Sequence, residues 1–309
     1  MGFSLDYLYL VIGLAGLFFG GEALVRGSTS IAHRLSISTF VIGLTVVGFG
    51  TSTPELLVSV QAAMRGVPDI AIGNIIGSNI ANILLIVGVS ALIWPIRANG
   101  SAYGRDTAFV IASGLMLVPL FALGEVGRVA GLALVTGLIV YLVWTFLKAG
   151  SGAADTAVET VAPPLVVSLL WVGFGLAALL LGARFLVDGA VSIARDFGVS
   201  EAFIGLTIVA VGTSLPELAT SLVAAFRRQS DIAIGNILGS NIFNILGILG
   251  ATALIAPIPV APRFLSFDLP VMIAASILLT ALLLKRPQIG RGIGAMMLLG
   301  YAAYVFAAQ

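Results

Sequence analysis

One stretch of this chain occurs twice: residues 43–89 recur as residues 205–251, 162 positions later and without a gap. Of the 47 aligned positions, 30 are identical. The chain is therefore expected to consist of two halves that fold alike. Each copy places one glutamate, Glu55 or Glu217, inside an otherwise uncharged apolar stretch. Because a carboxylate is costly in such surroundings, this pair is where function should be sought.

The composition indicates a membrane protein. Hydrophobic residues make up 59% of the 309 positions, charged residues only 9%, and the mean hydropathy is +1.14. Soluble domains carry about 25% charged residues. Ten apolar windows approach the length of about 20 residues that a helix needs to cross a bilayer, and no alternating barrel pattern occurs. The predicted segments are 5–25, 37–63, 70–95, 107–124, 127–147, 165–186, 199–226, 232–256, 267–284 and 290–307.

A linker at 150–164, rich in Gly and Pro, separates a first repeat at 1–149 from a second at 165–309. Each half would hold five helices, and an odd number makes the second half enter the membrane in the opposite sense. We therefore predict an all-α polytopic membrane protein with ten transmembrane helices in two inverted five-helix repeats. Pro95 and Pro257 keep the same 162-residue offset, so the duplication extends to the end of the third helix of each half.

Charge predicts the orientation and excludes several partners. With the N-terminus outside, inner loops would hold ten of the 15 Lys and Arg residues and outer loops five. The positive-inside rule then favours both termini outside, with the linker in the cytoplasm. A net charge of +1 gives no reason to expect a nucleic-acid partner. The sequence contains no P-loop motif, so a nucleotide is not expected to bind either. The expectation is a monomer in the cell's inner (plasma) membrane, without a cofactor.

Each glutamate ends a motif that interrupts a helix. The copies read Gly-Thr-Ser-Thr-Pro-Glu at 50–55 and Gly-Thr-Ser-Leu-Pro-Glu at 212–217. Proline removes a backbone donor and clashes with the carbonyl four residues earlier. Carbonyls near Thr51 and Thr213 are thereby expected to leave the helix ladder, which is tolerated at membrane depth only where the backbone faces protein or water. Carbonyl, hydroxyl and carboxylate oxygens together suit Ca²⁺.

The helix after each motif carries a polar stripe beside a glycine stripe. The polar residues recur every four positions, on one helix face, and so do the glycines. Small residues let helices approach closely, so this helix is expected to pack tightly against the broken one and deliver amide and hydroxyl oxygens to it. The polar stripes are Asn74, Ser78, Asn82 and Asn236, Ser240, Asn244; the glycines are Gly73, Gly77, Gly235 and Gly239.

Charge balance points to a mobile cation. Two glutamates close together in a low-dielectric interior repel each other, and a divalent cation would neutralise the pair. No Lys or Arg lies at the same depth in these segments. The partner is therefore expected to be a metal ion or protons.

At these motifs the chain resembles the cation/calcium exchanger superfamily, most closely the prokaryotic sodium/calcium exchangers. The resemblance covers the whole chain and implies a secondary antiporter that exports Ca²⁺ in exchange for Na⁺ by alternating access, with the first and sixth helices sliding together across the site. It implies Ca²⁺ binding by Glu55 and Glu217 with the carbonyls of Thr51 and Thr213. The Na⁺ ligands it implies are the same glutamates with Ser52, Ser78, Asn82, Ser214, Ser240, Asn244 and the backbone near Gly48 and Ala210.

One departure keeps a second function open. Archaeal relatives carry an aspartate at the position of Asn244, whereas here both Asn82 and Asn244 are neutral. A Ca²⁺/H⁺ antiporter of the same fold is the alternative, and a cation channel is a candidate of a different class. An intramembrane protease is disfavoured because the single histidine, His33, is expected in a loop. Glu22 and Arg184 occupy equivalent positions with opposite charge and are expected near helix ends.

Overall fold

The computed structural model describes residues 3–97, 100–149, 163–198 and 210–308. Within these ranges the protein is all-α, apart from four strands of two residues each. The helices of the first half are α1 (Phe3–Leu35), α2 (Thr39–Ile42), α3 (Gly48–Thr51), α4 (Thr53–Met64), α5 (Pro68–Ala81), α6 (Val87–Ile93), α7 (Gly100–Ala122) and α8 (Arg128–Ala149). Those of the second half are α9 (Leu165–Asp196), α10 (Ala210–Thr213), α11 (Leu215–Phe226), α12 (Ser230–Ile242), α13 (Leu249–Ile255), α14 (Leu269–Lys285) and α15 (Arg291–Ala307).

Seven described helices are long and apolar enough to cross a membrane, or eight if the bent pair Thr39–Thr51 and Thr53–Met64 forms one span. Two shorter apolar helices are α11 and α15. The membrane class predicted from the sequence is therefore confirmed. Part of the predicted seventh segment, residues 199–209, and most of the linker, residues 150–162, lie outside the described residues.

Short π-helical segments join several of these helices. They cover Gly43–Val47, Asn82–Ile86, Phe243–Ile248 and Phe264–Asp268. Such a segment adds a residue to a turn, shifts the helix face that follows, and is frequent at functional sites. Two of them begin at or next to the predicted site residues Asn82 and Asn244.

The core is made by the two most buried spans, Pro68–Ile93 and Ser230–Ile255. Around them, α8 and α9 are the least buried spans and expose Leu, Val and Phe side chains such as Leu147 and Phe174. An apolar exterior around a polar-lined centre is the arrangement expected in lipid.

The longest helices, α1 and α9, pack against each other through glycine. A Cβ on Gly16 would lie 2.9 Å from the Cα of Gly182, and one on Gly20 would lie 2.7 Å from the amide N of Leu179. Glu22 and Arg184 lie within these helices, so their expected location near helix ends is wrong. Glu22 is stabilised inside α1 because it pairs with Arg26 and with Arg227 at the end of α11.

The four strands form two antiparallel pairs between the halves. β1 (Ile96–Arg97) pairs with β4 (Gln288–Ile289), and β2 (Glu125–Val126) pairs with β3 (Ile258–Pro259). Each pair therefore places two loops that are distant in sequence at the same end of the bundle.

Candidate cation site

Both glutamates lie at the start of a helix, directly after a break. Ser52 separates α3 from α4 with φ −81° and ψ 11°, and Ser214 separates α10 from α11 with φ −89° and ψ 7°. The axes before and after Ser52 differ by 43°. The motif thus folds as the sequence predicts, with a proline in the first turn of each new helix.

The break frees a carbonyl, and in the first copy a neighbouring side chain compensates. Pro54 has no amide hydrogen to donate to the carbonyl of Gly50, four residues earlier. The hydroxyl of Thr53 donates to that oxygen instead, at 2.9 Å. The second copy has Leu215 in place of Thr53, so this compensation is specific to the first copy.

The two copies exchange hydrogen bonds between a serine and a glutamate. Ser52 Oγ donates to Glu217 Oε1 at 2.8 Å, and Ser214 Oγ donates to Glu55 Oε1 at 3.1 Å. Both glutamates are 1% exposed. Each serine precedes its own glutamate by three residues, so each motif makes the same contact with the other.

In each carboxylate, one of the two oxygens has no hydrogen-bond partner among the described residues. Glu55 Oε2 and Glu217 Oε2 are buried and accept no hydrogen bond from any described residue. A buried, unpaired carboxylate oxygen is costly, because the group has lost water without gaining a replacement. Two such oxygens in one polar centre are suited to binding a cation.

The carboxylate helices are held by the first asparagine of each polar stripe. Asn74 Nδ2 donates to the carbonyl of Glu55 at 3.1 Å and to Ser59 Oγ at 2.9 Å. Asn236 Nδ2 does the same for the carbonyl of Glu217 at 3.2 Å and Ser221 Oγ at 2.9 Å.

Four more of the predicted residues lie around this centre, namely Gly48, Thr51, Ser78 and Ser240. Thr51 Oγ1 donates to Asn236 Oδ1 at 3.1 Å, and Ser240 Oγ donates to the Gly48 carbonyl at 3.1 Å. Ser78 Oγ lies 3.5 Å from Ser214 Oγ. These contacts bring both polar stripes to the broken helices, as predicted.

The two asparagines at the ends of the stripes are buried and largely unpartnered. Asn82 donates to Asn241 Oδ1 at 3.0 Å, but its own Oδ1 has no partner among the described residues. For Asn244, neither side-chain polar atom has one within the described ranges. Thr213 is half-buried, and Ala210 is the first residue of α10.

Glycine allows the close approach of α12 to the broken helix of the other half. A Cβ on Gly239 would lie 1.9 Å from the Leu44 carbonyl oxygen, and one on Gly235 would lie 2.5 Å from that of Phe40. The glycine stripe of the second copy therefore packs on the first half, while Asn236 reaches the glutamate of its own half.

Sequence reasoning left three contributors out of the predicted site. Asn241 bridges to Asn82, and Ser59 and Ser221 support the stripe asparagines. Asn241, Ser59 and Ser221 all belong to positions that are identical in the two copies. The identity of these positions between the two copies is the sequence signal that could have pointed to the three residues.

A cavity of about 520 Å³ adjoins the site. Asn74, Ser78 and Thr213 line it, together with the exposed Asp69 and Arg263. The cavity joins the polar stripe of α5 to the protein surface. Among the described residues no group of three or more acidic, His or Cys side chains is placed to hold a metal ion.

Comparison with known proteins identifies the family that carries this site. The family model described as "Sodium/calcium exchanger protein" matches residues 5–147 and 167–308. The chain is 38% identical to the putative antiporter CaxA of Alkalimonas amylolytica, over 97% of both proteins. It is 32% identical to the sodium/calcium exchanger MaX1 of Methanosarcina acetivorans, over 98% of both proteins.

Solved structures have the same fold. The sodium-calcium exchanger NCX_Mj, soaked with 2.5 mM Na⁺ and 0.1 mM Ca²⁺, superposes with a TM-score of 0.86 at 36% identity, over 99% of both chains. The form soaked without either ion also gives a TM-score of 0.86, at 35% identity and over 99% of both chains. The likeness is thus similar for the two soaking conditions.

Proposed function

The chain belongs to the sodium/calcium exchanger family, and from that membership we propose that it is a secondary antiporter that exports Ca²⁺ in exchange for Na⁺. The observation that carries the proposal is the facing pair of glutamates. Each is buried, each is held at one oxygen by a serine of the other repeat, and each has a second oxygen without a partner among the described residues. Ca²⁺ prefers such hard oxygen ligands and offsets the charge of both carboxylates.

In this proposal Glu55 and Glu217 bind Ca²⁺ with the carbonyls of Thr51 and Thr213. Ca²⁺ takes six to eight oxygens, more than two carboxylates supply, so neutral oxygens are needed. Na⁺ would use the same glutamates with the surrounding hydroxyls, amides and carbonyls. Those neutral ligands are Ser52, Ser78, Asn82, Ser214, Ser240, Asn244, Gly48 and Ala210.

We propose ten membrane crossings in two inverted repeats, with both termini outside. The strand pairs support this count. With ten crossings, the loops that hold β1 and β4 emerge on the cytoplasmic face, and the loops that hold β2 and β3 emerge on the other. The hydrogen bond from Tyr103 to Asp231 also joins the first turns of α7 and α12, two helix ends that the proposal places inside.

Alternating access would use the α1–α9 pair as the moving part. Glycine lets the two backbones touch, so the pair can act as one body. The cavity lined by Asn74, Ser78 and Thr213 would be a route by which ions reach the site. Asp69 at its wall would attract cations.

The test compares the same substitution at the site and at the surface. Purified Glu55→Gln and Glu217→Gln variants would be reconstituted in Na⁺-loaded vesicles, and Ca²⁺ uptake measured after dilution into Na⁺-free buffer. We expect both variants to lose uptake, because a neutral amide cannot offset the charge of Ca²⁺. Glu125→Gln, at an exposed loop position, is the matched control and should transport normally. Normal uptake by either site variant would reject the assignment.

Coupling of Ca²⁺ to protons is the second candidate. It is favoured by Asn82 and Asn244, which contribute amides and leave only two carboxylates in the centre. Ca²⁺ uptake driven by a Na⁺ gradient, with the pH clamped equal on both sides, separates the two. Uptake that follows an imposed pH gradient and ignores Na⁺ would favour protons.

A further inference from the structure

The asparagines that end the two polar stripes are each preceded by a second asparagine. Asn79 and Asn241 come three residues before Asn82 and Asn244, so they occupy equivalent positions in the two repeats. All four side chains are buried, and none is more than 1% exposed. Each repeat could therefore make the same asparagine contact with the other, which allows the two halves to be compared directly.

Among the described residues, only one of the two equivalent contacts is made. Asn82 Nδ2 donates a hydrogen bond to Asn241 Oδ1 at 3.0 Å. The equivalent bond would run from Asn244 Nδ2 to Asn79 Oδ1, but neither of these atoms has a partner within the described ranges. Asn79 donates instead to the carbonyl of Ile75 on its own helix, at 2.7 Å. The amide of Asn82 is therefore held by the opposite repeat, and the amide of Asn244 is not.

The backbone differs between the repeats at the same place. Asn82 is the first residue of the π-helical segment Asn82–Ile86, whereas Asn244 is the second residue of the segment Phe243–Ile248. Because a π-helical turn contains an extra residue, it shifts the helix face that follows. A difference of one residue in where the segment begins thus accompanies the difference in pairing.

The bond to Asn241 determines which end of the Asn82 amide is available to an ion. An asparagine side chain has an oxygen that can bind a cation and an NH₂ group that cannot. Asn82 directs its NH₂ group to Asn241, and its oxygen has no partner among the described residues. Asn82 lies one turn beyond Ser78 on the same helix face. Ser78 in turn lies 3.5 Å from Ser214, the serine that donates to Glu55.

We propose that Asn241 is a positioning residue for Na⁺ binding, because it holds the amide of Asn82 with its oxygen turned toward the ion. The inference rests on the proposed role of Asn82 as a Na⁺ ligand. Without the acceptor on Asn241, the amide can turn and present its hydrogens to the cation, which they repel. Removal of a partner that orients a metal ligand lowers metal affinity about 10- to 100-fold.

The test compares the same substitution at equivalent positions of the two repeats. Asn241→Leu removes the acceptor and keeps a side chain of similar size. Asn79→Leu is the matched control, because Asn79 makes no hydrogen bond to the other repeat within the described ranges. The purified proteins would be titrated with NaCl in detergent, with choline chloride keeping the ionic strength constant. An ion that binds the folded protein raises its melting temperature, so the midpoint gives the half-saturating Na⁺ concentration even without transport.

We expect Asn241→Leu to raise the half-saturating Na⁺ concentration about 10-fold or more, and Asn79→Leu to leave it at the wild-type value. A parallel titration with CaCl₂ should give the same midpoint for all three proteins, because Asn82 is not among the proposed Ca²⁺ ligands. A purely structural role for Asn241 would instead lower the melting temperature without added ions and leave the Na⁺ midpoint unchanged.

A second pair of variants decides the question even if Asn241→Leu alone does not fold. Asn82→Leu would be compared with the double variant that combines Asn82→Leu and Asn241→Leu, in which both partners of the bond are apolar. Such paired replacement is tolerated better than the loss of one partner. We expect the two proteins to have equal half-saturating Na⁺ concentrations, both above that of wild type, because Asn241 acts only through Asn82.

The possible failures of the inference and of the proposed function differ. An unchanged Na⁺ midpoint in Asn241→Leu, an equal rise in Asn79→Leu, or a further rise in the double variant overturns the inference and leaves Na⁺/Ca²⁺ exchange intact. A wild-type melting temperature that does not respond to Na⁺ overturns both the inference and the proposed function.

Discussion

Ser52 of the first repeat donates a 2.8 Å hydrogen bond to Glu217 of the second, so each copy of the motif completes the other. Ser214 makes the reciprocal contact and donates a hydrogen bond to Glu55 at 3.1 Å. One copy alone would therefore leave a buried carboxylate with fewer donors. This reciprocity explains why the glutamate and the serine that precedes it by three positions occur together in both copies.

Removal of either serine hydroxyl should weaken Ca²⁺ binding. A hydrogen bond to a charged group contributes about 1.5–3 kcal/mol, so Ser52→Ala and Ser214→Ala should each raise the Ca²⁺ concentration for half-maximal exchange roughly 10- to 100-fold. The measurement is the Ca²⁺ dependence of exchange in vesicles. Ser90→Ala is the matched control, because Ser90 is fully buried on α6 and its hydroxyl has no partner within the described ranges. Equal behaviour of all three variants would contradict the role of the cross-repeat bonds.

The glycine stripe of α12 should tolerate no side chain. In Gly239→Ala the new methyl would lie 1.9 Å from the Leu44 carbonyl oxygen, and overpacking of a tight core costs about 1–3 kcal/mol. We expect a lower melting temperature in detergent. Gly137→Ala on α8 is the control, because a methyl there meets no described atom within 4 Å. A melting temperature of Gly239→Ala equal to that of wild type would contradict the close approach of the two halves.

The sequence predicted which residues lie together at the centre of the bundle better than it predicted the bounds of the helices around them. The duplication identified both glutamates and both polar stripes, because the two copies preserve the same chemistry at a constant offset. It could not indicate that Ser52 reaches Glu217 and not Glu55. That pairing depends on how α12 packs on the opposite broken helix, and this packing is set by contacts such as Gly239 with Leu44, which join distant parts of the chain.

The ends of α1 were missed for a different physical reason. Hydropathy predicted a segment at 5–25, whereas the helix runs from Phe3 to Leu35. The length of an apolar window reflects the thickness of the membrane, whereas the helix itself can continue beyond that window. Glu22 was expected near a helix end, but it remains inside α1 because it pairs both with Arg26, four residues later, and with Arg227 at the end of α11.

Two buried aspartates should stabilise the bundle through tyrosine. Asp106 accepts a 2.6 Å hydrogen bond from Tyr141 and pairs with Arg105, and Asp268, 162 residues later, accepts one from Tyr304 at 2.9 Å. Tyr141→Phe and Tyr304→Phe remove one charge-assisted bond each and should cost about 1.5–3 kcal/mol, seen as earlier thermal unfolding.

The control for the tyrosines is Tyr301→Phe, on the same helix as Tyr304. The Tyr301 hydroxyl makes no hydrogen bond to the described residues, so its loss should change the unfolding temperature little. If Tyr301→Phe destabilised the protein as much as Tyr304→Phe, the bond to Asp268 would not be the cause.

The pairing of the loop strands predicts which positions share a face of the membrane. The chain contains no cysteine, so single cysteines can be introduced without a background signal. Glu125 in β2 and Gln288 in β4 are both exposed, and they belong to different strand pairs. In intact cells, Glu125→Cys should react with a membrane-impermeant maleimide, and Gln288→Cys should react only after the membrane is permeabilised. Labelling of both positions from outside would contradict the ten-crossing arrangement, because an odd number of crossings separates the two loops in it.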